Sequence, residues 1–517
     1  MKQNSSMSSA SAGRFSYTCS VHLLVLSCCL GALVRPSDAN AQDDLGNRVQ
    51  QLTDAMNRVQ AQMDESKRQL DEMRQQLDAL RKQMGATDAA PVTAPTEAAS
   101  AESDAAQLQA QVEELRERQS VQESQIAVQE QAKVESESKY PVKLTGLILM
   151  NGFVNTGMVD SAATPSLAIS GGGSTGASVR QTILGIDGRG PHLFGARSHG
   201  DLRIDFDANA AATSGYAGGY GTDLVRLRTA HAALDWAHTE AFFSLDRPIV
   251  SPNMPDSLTA VAVPALAWSG NLWNWAPQFG VMHDLSLSTA ASLRTQFALI
   301  NLPDAPTTPI GAPAIAGPVI PPTAEESRWP GIETRIALFG GTNEQGAEIG
   351  IGGLYAPHRS LGGTRFDTWA GTLDMRLPLP ARMELSGAFY RGLALGGLGG
   401  GAYKDYVYRI EGLESYFLSL DDVGGWAQWK QRLGERLELN EAFGIDSVPA
   451  GQLRPFSAST LSAYQNLARN RTFTGNAIYS PSAYLLFSLE YRRIESSPVN
   501  ASTAASDIIG IAAGYKF

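Results

Sequence analysis

Apolar residues recur along this chain with two different periods. From Leu45 they fall at Val49, Leu52, Met56, Val59, Met63, Leu70, Met73, Leu77, Leu80 and Met84, with spacings of four and three and Ser66 filling the one polar seam position. More than five unbroken heptads predict a helix about 60 Å long at 1.5 Å per residue. One chain cannot bury such a stripe, so residues 42–84 are read as a self-associating coiled coil. The alternative is a single amphipathic helix lying on its own domain or on lipid, and the acidic outer face speaks against lipid. An Ala/Pro/Thr-rich stretch, 85–107, reads as a flexible linker. A second, less regular helical segment occupies 108–140, through Leu108, Val112, Leu115, Ile126 and Val134.

After Pro141 the period becomes two. Leu202, Ile204 and Phe206 alternate with Arg203, Asp205 and Asp207, and Ile332, Ile336 and Leu338 alternate with Glu333 and Arg335. The same rhythm sets Leu485, Phe487, Leu489 and Tyr491 against Ser488, Glu490 and Arg492. Sixteen strands are expected, at 142–156, 178–188, 198–209, 223–235, 239–247, 276–284, 288–300, 328–340, 346–356, 364–376, 381–391, 423–432, 435–446, 470–480, 482–494 and 506–517. Short turns such as 378–380 and 480–481 alternate with long segments such as 301–327, 392–422 and 447–469. An even strand count with tight turns at one rim and long loops at the other is the pattern of an all-β transmembrane barrel with a water-filled lumen. A soluble sandwich also alternates, but turns its apolar face inward.

Composition narrows the picture. Of the 517 residues 43% are hydrophobic and 18% charged, which excludes a disordered chain. No stretch past residue 40 has the roughly 18 consecutive apolar residues of a spanning helix. Residues 1–41 read as a signal peptide, with Lys2 and Arg14 in a basic region, an apolar run from Val21 to Val34, and Ala39-Asn40-Ala41 as the cleavage site. An uncleaved anchor is the alternative, but the run is too short to span. All three cysteines lie in this leader, so the exported chain would have neither a disulfide nor a cysteine metal site. The net charge of −11 argues against nucleic acid as a partner. Residues 42–140 carry 11 basic and 19 acidic side chains and no Trp or Phe, as suits a periplasmic stalk rather than a catalytic domain.

The stretches Ser178-Val-Arg-Gln-Thr-Ile-Leu-Gly-Ile-Asp187, Asp201-Leu-Arg-Ile-Asp-Phe-Asp207, Leu224-Val-Arg-Leu-Arg-Thr-Ala230 and Ser269-Gly-Asn-Leu-Trp273, with Pro277-Gln278 beyond, are similar to the DcaP-like family of trimeric outer-membrane porins. These motifs are short and confined to the first half of the barrel. The resemblance implies a homotrimer in the outer membrane, its coiled coil in the periplasm, passing small and mostly anionic solutes such as organic acids. It also implies that the connection 248–274, after the fifth strand, folds into the lumen, with Asp256, Trp268, Asn271 and Trp273 as constriction candidates; an exposed loop is the alternative. The final strand, ending at Tyr515 and Phe517, resembles the signal by which such barrels are recognised for insertion.

In a channel the chemistry is selection by charged side chains facing water. The alternation turns Arg203, Arg226, Arg228, Arg294, Arg335, Arg382, Arg436 and Arg492 inward, together with Asp205, Asp207, Glu240, Asp246, Glu333, Glu384, Glu438 and Glu490; Arg247 stands beside Asp246. Bases and acids balance, but Arg203, Arg226 and Arg228 cluster on neighbouring strands. After residue 140 there are 23 Arg and only 4 Lys, a bias suited to bidentate carboxylate or phosphate contacts. Pairing with the acids to stiffen the wall is an equally good reading of these arginines.

Catalysis finds little support. Gly172-Gly-Ser174-Thr-Gly176 matches the nucleophile pattern G-x-S-x-G in what reads as a Gly-rich loop without a following helix. No histidine pair has metal-ligand spacing beside a suitable carboxylate, and no cofactor is implied. An outer-membrane hydrolase is the rival enzyme class, and a barrel-anchored tether binding peptidoglycan through the stalk is the rival structural class.

Overall fold

The computed structural model describes residues 141–208, 224–306, 321–340, 346–360, 363–411, 414–457 and 463–517. The expected signal peptide, coiled coil, linker and second helical segment lie outside the described residues. Within them the chain forms β1 (Val142–Val159), β2 (Ala168–Ser178), β3 (Ile183–Leu193), β4 (Ala196–Ala208), β5 (Leu224–Asp235), β6 (Thr239–Asp246), β7 (Ala276–Ser288), β8 (Ala291–Ile300), β9 (Gly331–Gly340) and β10 (Ala347–Arg359). There follow β11 (Arg365–Leu379), β12 (Met383–Leu393), β13 (Tyr406–Glu411), β14 (Glu414–Ser419), β15 (Asp421–Leu433), β16 (Leu437–Ser447), β17 (Leu467–Tyr479), β18 (Leu485–Pro498) and β19 (Ala504–Lys516).

Every wall strand pairs antiparallel with its neighbours, and β19 returns to pair with β1 from Leu147↔Lys516 to Asn155↔Ile508, closing a barrel. β2 and β3 both pair with β1, at its upper and lower halves, and so occupy one wall position interrupted at 179–182. Counted this way the wall has sixteen strand positions among the described residues, and each expected strand falls on one of them. Two details differ. The second strand extends back to Ala168, so the G-x-S-x-G match lies on β2 rather than in a loop, with Ser174 Oγ accepting a hydrogen bond from Asn155. The connection after β12 also carries a hairpin, β13–β14, that is separate from the wall.

Burial alternates along the strands in the reverse of the soluble pattern. On β18 Leu489 is 58% exposed, whereas its neighbour Glu490 is 2% exposed. On β9 Ile332, Ile336 and Leu338 are exposed while Glu333, Arg335 and Ala337 are buried. The apolar face therefore points outward and the ionised face into the barrel. At the seam the Phe517 backbone exchanges two 3.0 Å hydrogen bonds with Gly146, and its ring lies where a Cβ on Gly146 would stand 2.6 Å from Cζ. Only glycine leaves that ring its place.

Long connections leave one end of the barrel and fold back over its mouth. Their apolar side chains, among them Leu167, Trp268, Tyr403, Leu453 and Leu467, make a buried cluster there.

Candidate functional site

The inward face of the wall is built from ion pairs. Arg226 and Arg228, two residues apart on β5, both face into the barrel by the strand's ordinary alternation, beside a β-bulge where the register with β4 shifts between Arg203 and Ile204. They converge on Asp205, which is fully buried. Arg226 grips it in bidentate fashion through Nε (2.9 Å) and Nη2 (2.6 Å), and Arg228 adds Nη1 at 3.3 Å. Both guanidiniums also lie over the Trp275 ring, 5.0 and 4.8 Å from its centroid. Arg203 stands apart from this pair, bonded to Asp187 at 2.5 Å and near Asp201 at 3.7 Å. At the head of the long connection Arg247 donates to the Pro252 carbonyl, its own amide bonds the Asp246 carboxylate, and burial pulls its guanidinium below the ordinary arginine value.

A second cluster occupies β9–β11. Arg335 is 2% exposed and binds Asp374 through Nε (2.9 Å) and Nη2 (2.6 Å), Glu348 through Nη2 (2.6 Å) and Gln296 through Nη1 (3.0 Å). Arg294 pairs with Asp284 at 2.7 and 2.8 Å, and Arg492 with Glu490 at 2.5 Å. Glu384 faces Lys430 at 3.7 Å. Glu333, fully buried, accepts from the Val250 amide at 3.4 Å. Two expectations are corrected: Arg382 and Arg436 lie in the turns 380–382 and 434–436, not on the wall, because the chain reverses there and leaves both side chains exposed. Arg382 has the left-handed φ of 60° that such a tight turn demands.

The connection 247–275 runs through the barrel interior and is tied to strands all around it. Asn151 of β1 donates to the Leu258 carbonyl, and Gln181, in the interruption between β2 and β3, accepts from the Val261 and Ala262 amides while donating to Thr259. Arg226 reaches the Ala262 carbonyl at 2.8 Å. From the opposite wall Gln428 exchanges two hydrogen bonds with Asp256, Asn476 bonds its carbonyl, and Lys430 stands 2.8 Å from its carboxylate. Asn470 donates to the Trp268 carbonyl and to Ser269 Oγ, each at 3.0 Å.

Of the four residues expected on this segment, Asp256 has an open side chain, 40% exposed. Trp268 and Trp273 are buried in the apolar cluster at the mouth, and Asn271 is buried with its amide bonded to Ala265. The uncharged tethers Asn151, Gln181, Gln428, Asn470 and Asn476 were not anticipated. The inward parity of Asn151, Gln428, Asn470 and Asn476 is readable from the alternation, but nothing in the sequence marks a partner more than 70 residues away.

A further polar group pins the connection after β12. Lys404, fully buried, donates to the Ala402, Tyr464 and Leu467 carbonyls at 2.6, 2.8 and 2.9 Å, and burial pushes its ammonium down to about 7. Asp405, pushed up to about 7 by burial, accepts from the Ala305 and Gly397 amides at 3.1 Å each. Among the described residues no group of three or more His, Cys, Asp or Glu side chains is placed to hold a metal ion.

No family model matches the chain, and no curated protein does. Solved structures do. The outer membrane channel DcaP of Acinetobacter baumannii is 14% identical, covers 74% of this chain and 99% of its own, and superposes with a TM-score of 0.53. An anion-selective porin from Comamonas acidovorans is 12% identical over 73% of this chain and 100% of its own, with a TM-score of 0.43. OmpT of Vibrio cholerae is 8% identical over 74% and 99%, with a TM-score of 0.42. The resemblance carried by the sequence motifs is thus met in three dimensions: this chain has the fold of the DcaP channel.

Proposed function

We propose that the chain is an outer-membrane porin, a water-filled channel for passive diffusion of small hydrophilic solutes, with anions such as organic acids favoured. One observation carries this reading: the wall exposes Ile, Leu, Phe and Tyr and buries paired Arg, Asp and Glu. Such a surface is stable only where the outside is hydrocarbon, and a polar interior is of use only where something hydrophilic passes. Replacing Leu489 with arginine tests the first half. It should cost about 2–4 kcal/mol near the bilayer midplane, measured by reversible refolding into vesicles, and an effect below 1 kcal/mol would place that face in water.

The connection 247–275 is read as the constriction, with Asp256 meeting Lys430 at one wall and the Ala262 carbonyl meeting Arg226 at another. Anion preference rests on the surroundings of Trp275, where Arg226 and Arg228 lie over the ring and share the one acid Asp205. Because the rest of the lumen is balanced, the selectivity should be modest. Planar-bilayer recordings of the full chain should give discrete steps, in multiples of three for a homotrimer joined by the coiled coil. In a salt gradient the reversal potential should lie on the anion side; a cation-side value removes the preference. A barrel that passes no current yet sediments with peptidoglycan would be a tether. The Tyr515–Phe517 end is read as the insertion signal, and Phe517→Ala should lower the yield of assembled barrel.

A further inference from the structure

We propose that segment 394–405, between β12 and the β13–β14 hairpin, is a strap that fixes the returning half of the constriction loop, and that it sets the size limit for solutes. The proposal rests on the porin reading. The two segments interlock through backbone: the Leu398 carbonyl accepts from the Trp273 and Asn274 amides at 3.0 and 3.3 Å, and the Gly397 carbonyl accepts from Asn274 Nδ2 at 3.1 Å. Beside them the Trp268 and Tyr403 rings stack with centroids 4.2 Å apart.

The strap is held as no ordinary surface loop needs to be. Ala394, Ala402 and Tyr403 have φ values of 56°, 44° and 70°, in the left-handed region that non-glycine residues avoid. Strain of this kind persists only where surrounding contacts over-determine the backbone. Here the contacts are ionisable and buried. Asp422 on β15 accepts from the Gly401 amide at 2.6 Å, and Asp446 on β16 accepts from the Ala402 amide at 2.7 Å and from Tyr390 Oη at 2.6 Å. Lys404 ties the strap to the connection before β17, and Asp405 ties it to the segment after β8. Burying charge is costly unless each group is satisfied, so this is a large outlay for a connection with no role. Because the strap bonds residues 273 and 274, the returning end of the loop cannot leave its place while the strap is seated.

The test compares the full chain with Lys404→Met and with a variant in which residues 396–403 are replaced by four glycines. Folded barrel is scored by its heat-modifiable electrophoretic mobility, and each protein is assayed by single-channel conductance and by swelling of liposomes in sugars of increasing size. The expected result is higher conductance and entry of larger sugars in both variants, with the wall intact. Parent-like conductance and cut-off in folded variants would overturn the strap while leaving the porin reading in place. Failure of both variants to fold would also overturn it, since the segment would then serve the wall and not the loop. Absence of current through the parent chain would instead sink the porin reading itself.

Discussion

Replacing Arg335 with leucine is expected to destabilise the barrel by about 3–5 kcal/mol, the larger of the two stability effects predicted for single substitutions. The guanidinium is the common partner of Asp374 and Glu348, with Gln296 completing its contacts, and all of this lies on the inner face of β8–β11. Leucine fills some of the space but takes away the cation that Asp374 and Glu348 share, leaving Glu348 only Arg376 at 3.5 Å. Breaking a buried pair from one side costs far more than the pair contributes when intact, because the orphaned charge keeps its desolvation penalty. The measurement is the urea midpoint for vesicle-refolded protein. Removing both carboxylates as well, in Arg335→Leu with Asp374→Leu and Glu348→Leu, should restore most of the loss. A single variant that refolds like the parent would show that water reaches these groups freely.

The largest change in conductance expected from one substitution comes from a glycine. Gly270, at φ 98°, lies so close to β15 and β16 that a Cβ would run into the carbonyls of Gly425 and Ile445, and a Cβ on Gly444 would run into that of Ser269. The loop is pressed backbone to backbone against the wall. Gly270→Val therefore cannot keep the seat: the valine is strained at this φ and has no volume to occupy. The loop end should leave the wall, raising single-channel conductance and admitting larger sugars, whereas the folded wall should survive because no strand hydrogen bond is lost. Conductance equal to the parent's would mean that the loop does not limit flow.

How much of this was legible in the sequence follows from what each feature depends on. The strands were readable because a barrel wall repeats one demand every two residues, and Leu489 beside Glu490 states it plainly. The bulge at Arg228 was not readable, since Leu224-Val-Arg-Leu-Arg-Thr-Ala230 continues the alternation through the position where the register slips. Arg382 and Arg436 went to the wrong place for a related reason: periodicity cannot tell the last residue of a turn from the first of a strand. The tethers of the inner loop were hidden for another cause, because Gln181 and Gln428 are ordinary polar residues until the fold brings a distant backbone to them. Trp268 and Trp273 stand in the sequence as constriction candidates, but their burial with Leu167, Tyr403 and Leu453 depends on connections far apart in the chain.

The pairing of β19 with β1 fixes the order in which this protein can be made. The opening strand of the wall has a free edge until the closing one reaches it, so the polypeptide must be kept from aggregating while that edge is bare. Sealing therefore waits for β19. A chain cut a dozen residues short would keep the other strands and still have an open edge.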